Sequence, residues 1–307
     1  MSASRDSTAS LWTATVERER AALASAALQP IATEESFVED AGVRFIVRSV
    51  SSLVQKDEAK TPQLATLASP LDRGAGEPNP FLPPEPELTV GNISPTHVGV
   101  LNKHPVVEHH LLVVTKRFVP QEEPLDHDDF AAVATCLREI DGLAFYNAGR
   151  DAGASQPHKH LQLVPLPLGA GPWGVPMEAL FDSWAAAGNV SRLLRLPFRH
   201  AFALLDPVSF GDRAAGADRM LQLYDVAMEA IGVVEEGAAN DEPKRTAPYN
   251  LLVTRRWMLA VPRSREKFGS ISVNALGFAG SLFVRDAAEM QRLREAGPMS
   301  VLQGVAA

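Results

Sequence analysis

Hydrophobic and polar positions along this chain switch between a period of two and a period of about 3.6, and the switches predict a mixed α and β protein. The alanine-rich first thirty residues predict a helix, and the β-branched alternation of VRFIVRSV (43–50) predicts a strand. Periodicity then stops. Residues 57–88, which include GAGEPNPFLPPEPEL, are dense in proline and glycine and predict a long loop. Val98–Asn102 and His109–Thr115 predict two strands around a turn. Behind the acidic Asp126, Asp128 and Asp129, residues Phe130, Val133, Ala134, Leu137 and Ile140 recur at helical spacing, with the carboxylates placed where a helix N-terminus favours them. LAFYN (143–147) and HKHLQLV (158–164) predict an antiparallel hairpin with a long connection.

The second half repeats this plan faintly. FRHAFALLD (198–206) reads as a strand, DRMLQLYDVAMEAIG (218–232) as an amphipathic helix, and YNLLVTRRWMLAVPRS (249–264) as a tight hairpin. HLQLVP and WMLAVP occupy matching places, but only the first carries histidine. The pattern predicts a degenerate duplication with one live site, an N-terminal unit over 1–167 and a C-terminal unit over 168–307 joined by the linker-like VPLPLGAGPWGVP.

With 307 residues, 46% of them hydrophobic, the chain can bury a sizeable core. Its single cysteine, Cys136, excludes a disulfide framework and a four-cysteine zinc site and suits the cytoplasm. No apolar run approaches a membrane span, and the N-terminus lacks the apolar core of a signal peptide. A net charge of −8 offers no field for a nucleic-acid backbone, so neither nucleic acid nor membrane is an expected partner. A small polyanion stays within reach of a few local lysines and backbone amides.

Candidate chemistry concentrates in GASQPHKHLQ (153–162). In a strand His158, His160 and Gln162 share one face while Leu161 and Leu163 share the other. Three readings compete: hydrogen-bonded structural histidines, a metal site, and covalent catalysis by imidazole. The metal reading is short of ligands, because His97, His104, His109 and His110 are the only neighbours and no carboxylate or cysteine falls at matching spacing. Imidazole attack on phosphorus fits the small residues of the preceding loop, whose N–H groups can approach phosphate oxygens, and Ser155, which adds a hydroxyl. Gln162 is the informative residue. Its amide can donate to a phosphoryl oxygen but cannot protonate a leaving group, so the leaving group must be good unaided, as a polyphosphate is. His109 and His110, consecutive in a strand, point to opposite faces, and at least one is expected to be structural. Asn79 is expected to cap a turn.

These residues resemble the His-x-His-x-Gln signature of the transferase branch of the histidine triad superfamily, and most closely its diadenosine tetraphosphate phosphorylases, or ATP adenylyltransferases. NPFLPP, LLVVT, YNAG, YNLLVT and SVNALGFAGSLFVR extend the likeness from about Phe45 to Val284. The resemblance implies an antiparallel α+β fold of two histidine-triad-like units. It also implies a reversible double displacement in which His160 takes AMP from a dinucleoside polyphosphate and passes it to inorganic phosphate, giving ATP and ADP. It assigns His158 to support, Gln162 and Ser155 to the transferring phosphoryl group, and Lys56 to a phosphate. Asn147, Gly153, Ala154 and Gln156, with Asn274, Ala275, Leu276, Ser281 and Arg285 further along, are implied nucleotide contacts. Magnesium is expected to arrive with the nucleotide, and no metal is expected to be held by the protein. The rivals are a sugar-1-phosphate nucleotidyltransferase using the same intermediate and a nucleotide-binding sensor without turnover. Hydrolysis is disfavoured because the superfamily's hydrolases generally have a third histidine where Gln162 stands.

Overall fold

The computed structural model describes residues 10–50, 79–169, 174–181, 190–233 and 246–307. Helix α1 (Leu11–Ala24) starts at Ser10, whose hydroxyl caps Thr13 N, and is followed by strands β1 (Thr33–Asp40) and β2 (Val43–Val50). Then come β3 (Thr89–Asn92), β4 (His97–Leu101), β5 (Leu111–Thr115), α2 (His127–Glu139), β6 (Gly142–Ala148) and β7 (His160–Pro165). The second half supplies β8 (Ala201–Leu204), α3 (Arg213–Ile231), β9 (Tyr249–Val253) and β10 (Trp257–Pro262). Two-residue strands β11 (Lys267–Phe268) and β12 (Ile271–Ser272) lead to α4 (Ala275–Phe278), β13 (Ser281–Val284), α5 (Ala287–Ala296) and α6 (Pro298–Val305).

Eight strands form one antiparallel sheet in the order β3-β4-β5-β7-β6-β9-β10-β8. The order and the connectivity show the repeat that the sequence suggests. The unit β5-α2-β6-β7 recurs as β8-α3-β9-β10, and the two units meet edge to edge where β6 pairs with β9. HLQLVP and WMLAVP are β7 and β10, each the middle strand of its unit.

Alternation along these strands sends side chains to two cores. Leu161, Leu163, Tyr146 and Met258 pack in one cluster with Phe130, Leu137, Met220 and Tyr224 of α2 and α3. Phe145, Leu252, Trp257 and Leu259 pack in the other with Phe45, Val273, Phe278 and Leu302. His160 and Gln162 lie on this second face. Where β10 fills it with Trp257 and Leu259, β7 leaves a cavity.

Some expectations shift. The strand expected from His109 begins at Leu111, because His109 adopts φ +57° and its N–H donates to Glu19 Oε1 of α1 at 2.9 Å. The strand expected over 158–164 runs 160–165, with His158 in an isolated bridge to Pro120. Within the stretch expected to be loop, 79–88 is turn-rich and buries Phe81; its remainder lies outside the described residues. The polar TEESFVED forms β1, an edge strand of a second sheet, β1-β2-β13. There β13 runs parallel to β2, pairing Ser281 with Ile46 and Val284 with Ser49, and so brings the C-terminal segment to the cavity wall.

Candidate active site

His160, 2% exposed, stands at the start of β7 on the wall of a cavity of about 520 Å³. Its ring contacts Phe81, centroids 5.4 Å apart. Gln121, fully buried, pins its backbone: Gln121 Oε1 accepts from His160 N at 2.9 Å, and Nε2 donates to the Asn147 and His160 carbonyls at 2.9 and 3.2 Å. A carbonyl can only accept, so the 2.8 Å contact between His160 Nδ1 and the His158 carbonyl puts the proton on Nδ1. Nε2 is then the unprotonated nitrogen. Burial pushes the pKa of His160 down to about 4, so the ring is neutral at ordinary pH.

His158 does not line the cavity; it sits behind. Its Nε2 donates to Thr115 O at 2.8 Å and lies 2.9 Å from Thr115 Oγ1, while Nδ1 accepts from Asn79 Nδ2 at 2.9 Å. Asn79 also caps the turn expected of it, its Oδ1 accepting from Phe81 N at 2.9 Å. Burial lowers the pKa of His158 as well.

Gln162 is oriented by a relay. His104 N donates to Asn102 Oδ1 at 3.2 Å, which turns Asn102 Nδ2 to His110 Nδ1 at 3.1 Å. His110 Nε2 therefore carries the proton and donates to Gln162 Oε1 at 2.9 Å. Burial holds the pKa of His110 near 4, keeping the relay neutral. With its oxygen taken, Gln162 presents its NH₂ to the cavity. Asn147 is oriented the same way: Oδ1 accepts from Asn250 Nδ2 at 2.8 Å and from Ala275 N at 2.9 Å, leaving Nδ2 on the cavity side.

The loop ahead of β7 packs against α4. Gly153 has φ +88°, and a Cβ there would lie 3.0 Å from Asn274 Cα and the Val273 carbonyl. Gly153, Ala154, Ser155 and Gln156 line the cavity, as do Asn274, Leu276 and Ser281. Asn274 caps α4 through Leu276 N at 3.0 Å. Ala275 is buried beneath, and its N–H is spent on Asn147. Arg285 is not brought to the cavity: it faces Glu289, Nε to Oε1 at 3.0 Å, and the Ser270 carbonyl. Lys56 lies outside the described residues.

Sequence reasoning left His110, Asn102, Gln121 and Arg48 unassigned and gave Asn79 only a turn. The signals were faint: two adjacent histidines ahead of LLVVT, and an asparagine before Pro80. Their meaning depends on β5 pairing with β7, Leu112 opposite Gln162, which a single sequence does not state.

Comparison with known proteins identifies the family. Residues 1–183 match the Ap4A phosphorylase N-terminal domain and residues 194–307 the ATP adenylyltransferase C-terminal domain. The diadenosine 5′,5′′′-P1,P4-tetraphosphate phosphorylase 2 of Saccharomyces cerevisiae is 30% identical over 236 residues, 71% of this chain and 72% of that protein. Protein APA1 of the same yeast is 24% identical over 91% of this chain and 88% of its own. The crystal structure of yeast Ap4A phosphorylase Apa2 superposes with a TM-score of 0.75 at 25% identity, covering 95% of this chain and 96% of that one. The chain belongs to the Ap4A phosphorylase family.

Proposed function

We propose that this protein phosphorolyses diadenosine tetraphosphate to ATP and ADP through AMP bonded to His160, and that the reaction runs in both directions. Family membership supports the overall reaction. The observation that carries the covalent step is the His160 tautomer, with Nδ1–H on the His158 carbonyl and Nε2 bare at the cavity wall.

His160 Nε2 attacks the α-phosphorus, the bond to the bridging oxygen breaks, and ATP leaves without needing a proton. The imidazole gains positive charge as the P–N bond forms, and the His158 carbonyl on Nδ1–H offsets it. Negative charge spreads over the nonbridging oxygens, where Gln162 NH₂, the Ser155 hydroxyl and the backbone amides of Ser155 and Gln156 act as preorganised donors, the Gly153 and Ala154 amides being spent on the Arg150 and Gly149 carbonyls. A phosphate oxygen then attacks the same phosphorus, the P–N bond breaks, and ADP departs. Asn147, Asn274, Leu276 and Ser281 hold the nucleotide. Magnesium travels on the polyphosphate oxygens. The setting is the cytoplasm, which suits a lone buried Cys136 whose thiol pKa is pushed up to about 12 by burial. Among the described residues no helix is long and apolar enough to cross a membrane.

Incubation with diadenosine tetraphosphate should give equal ATP and ADP only when phosphate is present. AMP and ATP formed at the same rate without phosphate would make the protein a hydrolase. With radiolabelled substrate and acid-free quenching, label should attach to the wild type, less to His158→Ala and not to His160→Ala. Label on His160→Ala would place the nucleophile elsewhere.

A further inference from the structure

The cavity wall also carries a cation that the steps above do not use. Arg48 of β2 has a side chain only 9% exposed and lines the same cavity as His160 and Ser155. A guanidinium has five N–H donors in a planar fork. Nη1 donates to Ser281 Oγ at 2.7 Å, and Nη2 to Glu35 Oε2 at 3.0 Å and to the Leu168 carbonyl at 2.5 Å. Nε–H and one Nη1–H are left without an acceptor among the described residues. The counter-charge is weak as well: the Glu35 side chain is 32% exposed, and water screens its attraction. Ser281, having accepted from Arg48, keeps its own O–H to donate. A largely buried guanidinium that keeps N–H groups without an acceptor among the described residues, beside a hydroxyl donor, is a ready partner for an anion.

Building on the phosphorolysis reading, we propose that Arg48 and Ser281 form a phosphate-recognition point in the cavity. Its ligand is a phosphate group other than the one being transferred: the acceptor phosphate of the second step, or a distal phosphate of the donor dinucleotide in the first. Glu35 competes with that ligand for the guanidinium and sets how tightly it is held.

Three measurements test this on Arg48→Met and Glu35→Gln: the KM for inorganic phosphate, the dinucleotide concentration that half-saturates a single release of ATP without phosphate, and calorimetric titration of the resting protein with inorganic phosphate. Losing a charge-assisted hydrogen bond of this kind weakens binding roughly 10-fold or more, so Arg48→Met should raise one of the first two constants by that factor. Glu35→Gln should lower the same constant. A shift in the phosphate constant identifies the acceptor; a shift in the dinucleotide constant identifies the distal phosphate. Both constants unchanged in both variants, or both variants moving the same way, overturns the proposal. Should Arg48→Met not fold, unchanged constants in Glu35→Gln alone overturn it. If wild type releases no ATP without phosphate, the covalent reading falls but this one does not. The titration then decides, and undiminished phosphate binding by Arg48→Met overturns the recognition point.

Discussion

Two amides, those of Gln162 and Asn147, face the cavity with their donors forward because other groups occupy their oxygens. For Gln162 the occupying group is the neutral His110, so the amide's orientation depends on a residue that lies outside the HKHLQ motif. If the amide acts mainly in the transition state, Gln162→Ala should lower turnover on the order of 100-fold, about 3 kcal/mol, with little change in nucleotide affinity. Gln162→Glu should be worse, since an acceptor-only carboxylate repels phosphate oxygens. His110→Phe keeps ring volume but frees the amide to rotate, and should share the kcat loss while sparing KM. Steady-state kinetics on the three variants at fixed phosphate and magnesium provides the check. A glutamate variant with near-normal turnover would remove Gln162 from the phosphate. At this scale the sequence disclosed the residues whose chemistry is stated by type and spacing, His158, His160 and Gln162. It hid those whose role is to orient them, because a hydrogen-bond partner 52 positions away has no local signature.

Among the elements, β7 is held from both faces. Lys159 points away from the cavity, where its Nζ donates to Asp129 Oδ2 at 2.9 Å and to the Pro124 carbonyl at 2.8 Å. Asp129 also accepts from His97 Nε2 at 2.9 Å and completes the capping box of α2, and all three side chains are no more than 2% exposed. Burial alone would raise the Asp129 pKa, but His97 and Lys159 bring it below the usual carboxylate range. The acidic cluster read as a helix start is therefore also the anchor of Lys159, between His158 and His160 at the start of β7. Removing the carboxylate strands a buried ammonium, so Asp129→Ala should cost about 3–5 kcal/mol in urea unfolding. A loss below about 1 kcal/mol would mean that water reaches Lys159 and that the anchor is loose. Element types were legible where one face was apolar, as in β5, α2, β7 and α3. β1 and β13 were not, since TEESFVED has no apolar face and the pairing of β13 depends on a strand more than 200 residues away.

For the whole molecule, the two repeated units differ in what they place on a shared face. Both units turn the same face of one sheet toward the second core; β10 fills it with Trp257, whose Nε1 donates to the buried Glu178 at 2.7 Å, and β7 opens it to His160 and Gln162. That face buries the imidazoles of His110 and His160, and this should appear in global stability. His110 and His160 each titrate near 4 in the folded protein against an ordinary 6.5. Well above pH 6.5 both are neutral folded or unfolded, and they add no pH dependence. As pH falls from there towards 4, the unfolded chain takes up protons that the native state refuses, so stability is lost by up to about 1.4 kcal/mol per pH unit for each ring. Urea unfolding of wild type and His110→Gln at pH 7.5 and pH 5.0 isolates one of the two. The variant should lose less stability than wild type between these conditions, by about 2 kcal/mol at most. Equal losses would show that His110 binds its proton as readily in the folded protein as in the unfolded chain. The Asn102 end of the relay would then be lost around pH 6.5, because a protonated His110 has no lone pair left to accept from Asn102, while its Nε2–H would still donate to Gln162.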